Sequence, residues 1–419
     1  MKYKMTMGGM FAVGWIFLCT AAGWFLLGGA VEKRTAAAVQ NLGKEVRGAW
    51  GPAMAQCHPH AYYLPPGGGQ KDGIIRPASS HIAVALSYEP KRKGLLWHRT
   101  YGVSFEGEYL IQNPTPIQQT VYVVFRFPSA DATYHDFRFS IGDAAPTERA
   151  PENGAITESV VIAPNASVPL KVGYRARGVD RWAYAFEDAS RVRNFELRMT
   201  TDFAEINFPT GTGSPTGRQK TQNGWELTWS YPDVLSAPGI GMDMPNVLNA
   251  GPVAARISFF APVSLLFFFA VLLIVGVVRQ QNLHPMNYFF LAAGFFAFQA
   301  LFTYLVDLVP LHLSFAIAAA VSLLLVCGYI HAVSGGRLSR VAVPAQIAYM
   351  VLFSYSFFFD GLSGLTITIG AVGTLALLMA LTAHIDWDEK LGKGGSRKKG
   401  GQDGIGGPLP VAVPPKLGA

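Results

Sequence analysis

Cysteine is scarce in this chain and charge is thin. Three cysteines among 419 residues cannot staple a fold of this size, which excludes a disulfide scaffold. Charged residues make up only 15%, against about a quarter in ordinary soluble domains. Hydrophobic residues reach 50%, so neither a wholly soluble globule nor a wholly disordered chain fits. Catalytic signatures are missing too. There is no Gly-x-Ser-x-Gly elbow, no His-Glu-x-x-His, no phosphate-binding loop with Lys and no Cys-x-x-Cys. An enzyme is not expected, and no cofactor.

The net charge of +7 is not a nucleic-acid footprint. Acids and bases nearly balance between Glu32 and Arg256, and the excess of Lys and Arg flanks the apolar runs and fills the C-terminal tail. A phosphate-binding face would need that excess on a folded domain. Here it has the distribution of a membrane protein oriented by cytoplasmic charge.

Six apolar runs are long enough to span a bilayer, which takes about 20 residues per helix. They cover roughly 7–28, 257–278, 286–309, 311–333, 341–359 and 362–383. The last two are joined by a very short turn and could instead form one broken or re-entrant segment. With six helices, Lys2, Lys4, Arg279, Arg337, Arg340 and the Lys390–Lys399 cluster all fall on one side, while loops 307–312 and 360–361 on the other carry no Lys or Arg. Both termini are therefore expected in the cytoplasm and residues 29–256 outside. The first run could be a cleaved signal peptide, with Gly28 and Ala30 as small residues before the cut. Its length beyond the about 7–15 residues of a signal-peptide core, and Trp24 near its outer end, favour a retained anchor.

The pattern predicts an integral membrane α-helical bundle of six transmembrane helices, with a large antiparallel β-sandwich between the first and second. Residues 1–31 form the anchor, 32–86 a lead-in region and linker, 87–231 the β domain, 232–256 a second linker, 257–384 a five-helix block and 385–419 a basic flexible tail. Residues 35–50 suit a short amphipathic helix, and 64–69 (LPPGGG) suit a turn-rich linker. From His81 to Trp229, short alternating runs rich in Val, Tyr, Phe and Thr, separated by Asn-Pro and Pro-Ser pairs, read as strands.

Three groups of residues carry chemistry. Cys57, His58 and His60 offer soft-to-borderline ligands for copper or zinc, fewer and closer together than a tetrahedral site normally uses. Asp307, His312 and Asp360 fall at the outer ends of three membrane helices, where an ionisable cluster could respond to protons or ions. Charges are also simply tolerated at helix ends. Lys91, Arg92 and Lys93 followed by Trp97 could touch lipid headgroups, or form a hairpin with solvated charges. Small residues Ala316, Ala319, Ala320 and Ser322 on the fourth helix could admit close packing with a partner helix.

The chain also resembles the inner membrane protein CreD family. The stretches that carry the likeness are Phe259–Val263 (FFAPV), His284–Tyr288 (HPMNY), Leu311–Ala320 (LHLSFAIAAA) and Met379–Trp387 (MALTAHIDW), with Trp50, Gly51 and Gln56 matching a Trp-Gly-x-x-x-x-Gln pattern. Ser264 and the lone Asp360 depart from the family's usual residues. The resemblance implies a bacterial inner-membrane protein linked to envelope integrity and the response to cell-wall antibiotics, with residues 29–256 periplasmic. No catalytic residues follow from it. The leading expectation is a non-enzymatic protein whose periplasmic β domain binds or senses an envelope partner. The alternative is a small ion- or proton-coupled transporter or channel built on the five-helix block. Expected partners are the lipid bilayer and an envelope protein or second membrane subunit, not nucleic acid.

Overall fold

A computed structural model describes residues 7–64, 73–94, 96–146, 149–186, 191–334, 338–359 and 361–383. Asp360, the linker residues 65–69 and the tail 385–419 lie outside them. The first element corrects the reading above. One helix, α1 (Met7–Trp50), runs 44 residues without interruption, where a span and a separate amphipathic helix were expected. Nothing between Gly28 and Trp50 breaks it: there is no proline, and Ala, Glu, Lys, Arg and Gln favour helix.

The β domain opens earlier and closes later than the strand pattern indicated. A seven-stranded sheet has the order β14 (Gly217–Lys220), β15 (Trp225–Leu235), β13 (Arg191–Thr201), β4 (Ser79–Tyr88), β7 (Thr100–Gln112), β11 (Ser167–Val179), β9 (Tyr134–Ile141). A four-stranded sheet has the order β10 (Ala155–Ile162), β8 (Gln119–Arg126), β2 (His60–Tyr63), β3 (Gly73–Ile75). A third sheet joins β1 (Met54–Cys57), β12 (Arg181–Ala185) and β16 (Ile240–Asp243). Strands β1 to β3 thus come from the expected lead-in region. Strand β16 and the first turns of the next helix come from the expected 232–256 linker. Short strands such as MAQC and IGMD show too little alternation to be read as β, and they form by pairing with β12.

Pairing is mainly antiparallel, but β13 runs parallel to β4 and β1 parallel to β12. The expected antiparallel domain thus contains two parallel pairings. Local alternation cannot reveal the direction of a partner distant in sequence. The alternation itself sorts the faces: along β7, Val103, Phe105, Tyr109 and Ile111 point inward, and Glu106 and Glu108 outward. The inward faces of the sheets share one core, in which Phe125 of β8 and Phe139 of β9 meet at 6.4 Å.

The helical block holds α2 (Ala250–Val278), α3 (Pro285–Leu305), α4 (Leu311–Ser334) and α5 (Ser339–Gln346). Helix α5 carries Pro344 and then departs from α geometry. It continues through a π-helical Ile347–Leu352, α6 (Phe353–Tyr355) and a 3-10 turn Ser356–Phe358, before α7 (Ser363–Thr382). Counting Ser339–Phe358 as one, six helices among the described residues are long and apolar enough to cross a membrane. Helices α3 and α4 lie so close that a Cβ on Gly294 would meet Val326 at 2.5 Å. Ser322 donates to the Gly294 carbonyl there at 2.8 Å. Ser322 and Ala319 of the small-residue stripe are therefore used within the block, while Ala316 and Ala320 are exposed.

Candidate functional sites

The Trp50–Gly51–Gln56 motif sits where α1 enters the β domain. Gly51 takes a left-handed φ of +96°, and a Cβ there would stand 2.4 Å from the Arg177 carbonyl oxygen. Only glycine ends the helix this closely against β11. Two cations approach the Trp50 ring, the Arg177 guanidinium at 5.0 Å and the Lys91 ammonium at 5.1 Å. Gln56 is fully buried with its amide satisfied: it donates to the carbonyls of Cys57 at 2.8 Å and Arg126 at 3.0 Å, and accepts from the Tyr174 hydroxyl at 3.0 Å.

Lys91, Arg92, Lys93 and Trp97 fall on a two-stranded hairpin, β5 (Lys91–Lys93) and β6 (Leu96–His98). The hairpin docks on the protein. Lys93 pairs with Glu45 of α1 at 2.6 Å and Lys91 with Glu89 at 3.7 Å. The Trp97 backbone exchanges two hydrogen bonds with the Asn249 side chain, just ahead of α2. Trp97 remains 42% exposed. Glu45 and Asn249 were missed in the sequence, because each lies far along the chain from the hairpin.

Cys57, His58 and His60 are close in sequence but do not face one another around a centre. His58 turns into an aromatic box of Tyr109, Tyr184, Phe186 and Phe195, and its Nδ1 lies 2.7 Å from the Tyr184 hydroxyl. Burial, with Arg76 and His60 adding to it, holds the imidazole down at about 3, so it is neutral at ordinary pH. Burial also pushes the Tyr109, Tyr174 and Tyr184 phenols well above their usual range. Cys57 and His60 instead line a shallow groove with Tyr62 and Arg126. Among the described residues no group of three or more His, Cys, Asp or Glu is arranged to hold a metal ion.

In the helical block, Asp307 makes a two-pronged ion pair with Arg34 of α1, at 3.1 and 3.3 Å. Arg34 was not singled out in the sequence, although it lies just beyond the first apolar run. His312 is exposed, stacks on Phe358 at 5.3 Å and has its Nδ1 3.5 Å from the Tyr355 hydroxyl. Asp307 is thus tied to α1 and His312 to the end of the α6 segment.

One broad surface was invisible in the sequence. The outward face of the seven-stranded sheet carries two adjoining grooves of about 560 and 690 Å³. Ala83, Ala85 and Ser104 form a low floor between taller residues Glu106, Arg138, Lys171, Arg175 and Arg198. Cross-strand pairs such as Arg138–Glu106 at 3.0 Å and Lys171–Glu108 at 3.7 Å organise its rim.

Six apolar helices with a large sheet domain between the first and second define a polytopic helical membrane protein. The family model described as "Inner membrane protein CreD" matches residues 196–388, from within β13 to beyond α7. Over that stretch the chain is similar to the CreD family of inner membrane proteins. No curated protein matches. Among solved structures, a Legionella pneumophila protein provisionally described as nutrient binding is similar at 11% identity and a TM-score of 0.35, covering 64% of this chain and 99% of its own. A likeness that slight carries no argument.

Proposed function

We propose that this is a non-enzymatic inner-membrane protein of the cell envelope, whose β domain binds or senses an envelope partner on the outward face of its seven-stranded sheet. The observation that carries this reading is the width of that face: two adjoining grooves with small residues on the floor and charged side chains at the edge. In this reading the helical block anchors the domain, both termini are cytoplasmic and residues about 29–256 are periplasmic. The positive-inside distribution of Lys and Arg supports that orientation.

Photocrosslinkers at Ala85, Ser104 and Thr200 in intact membranes test the surface. A reproducible adduct from these sites, absent from Val161 on the other sheet, is the expected result. Hydrolysis of peptidoglycan fragments or lipid-linked intermediates by the purified protein would sink the non-enzymatic reading.

A further inference from the structure

We propose that the seam between α1 and α3 is a hydrated binding site, holding water molecules within the apolar part of the helical block. Three polar atoms there are buried without a protein hydrogen-bond partner: the Trp24 indole Nε1, the Gln299 Oε1 and the Thr303 Oγ1. Their residues are 0%, 2% and 2% exposed. Orphan groups of this kind are costly when left unsatisfied, and lipid supplies no partner.

Elsewhere in the block, hydroxyls satisfy themselves locally. Thr20, Ser258, Thr368 and Thr382 each donate to the carbonyl four residues back. Ser322 and Gln346 satisfy each other and neighbouring groups across α3, α4 and α5. The hydroxyl of Thr303 does neither.

Position joins the orphans into one line. Gln299, Thr303 and Asp307 follow one another at four-residue spacing, so they stack along one face of the α3 rod and its C-terminal turn. That face meets α1: Asp307 pairs with Arg34, and Trp24 packs on Phe296 at 6.2 Å, one turn from Gln299. The Arg34 side chain is 46% exposed, so the upper end of the line opens toward solvent. An acceptor, a hydroxyl and an N–H spaced along one seam require a ligand that both donates and accepts. It must also be small enough to enter between packed helices. Water meets both conditions.

Hydroxyl-radical footprinting of the full chain in lipid nanodiscs tests this, because ordered water beside a buried ring allows its oxidation. Trp24 is expected to oxidise, while Trp229, also 0% exposed but with its indole N–H donating to the Gly213 carbonyl, stays silent. Gln299→Met and Thr303→Val remove the polar atoms with little change in volume, and loss of Trp24 oxidation in either variant, with Trp229 still silent, supports the site. Trp24 as silent as Trp229 in the wild-type chain overturns it. So does Trp24 oxidation that persists unchanged in both variants.

Discussion

At Gly51 a single missing methyl group sets how the first helix meets the β domain. Gly51→Ala forces a residue with a side chain to hold a left-handed backbone and pushes its Cβ into the Arg177 carbonyl. The backbone conformation alone costs about 1–3 kcal/mol, so thermal unfolding of the purified protein is expected to shift clearly downward. An unchanged midpoint contradicts the role given to this turn. His58 makes a second prediction, about acid. Its folded form stays neutral down to about 3, whereas the unfolded chain titrates near 6.5. Below 6.5 the unfolded state therefore binds more protons. The stability that His58 contributes is complete above 6.5 and is lost progressively as the pH falls toward 3. His58→Gln is expected to flatten the acid limb of melting temperature against pH across that window, and an acid limb identical to wild type would contradict the assignment. The sequence named His58 as a ligand candidate because it showed a cysteine and two histidines in four positions. It could not show that Tyr109, Tyr184 and Phe195 would surround that ring, since all three come from strands far along the chain.

Among the elements, the apolar helices were the most legible, because about 20 apolar residues in a row have few other uses. Their ends were less so. Helix α2 begins at Ala250 rather than 257, and α1 continues to Trp50, since polar helix turns beyond the apolar run leave no hydropathy signal. The π-helical Ile347–Leu352 was not readable, because its residues are ordinary and only the hydrogen-bond ladder changes. Strand existence was largely legible between 81 and 230, strand direction was not. Two helix contacts give element-scale expectations. Gly294→Leu places a side chain where Val326 already stands, an overpacking that costs about 1–3 kcal/mol, and is expected to separate α3 from α4 and lower the melting temperature. A Gly294→Leu protein as stable as wild type contradicts the close contact. A double-mutant cycle on Arg34 and Asp307 is expected to return only about 0.2–1 kcal/mol, because both side chains keep water contact. A coupling several times larger would mean that the pair is far drier than its exposure indicates.

At the scale of the whole molecule, the division into an inserted β domain and a helical block was readable from hydropathy alone. The broad open sheet face was not, because it is assembled from alternate residues of strands that meet only in the fold. Among the described residues, domain and block meet where α1, the β5–β6 hairpin and the approach to α2 converge through Glu45, Lys93, Trp97 and Asn249. Helix α1, about 66 Å long at about 1.5 Å per residue, runs through that junction without a break. A rod of this kind transmits angle as well as height. Each residue added between Thr35 and Leu42 would turn the domain by about 100° while raising it only about 1.5 Å. One added residue points the sheet face in a new direction, and four bring it back to within about 40° of its original bearing. Crosslinking to a partner that fails with one inserted residue and recovers with four would show that azimuth, and not distance from the bilayer, is what α1 keeps constant.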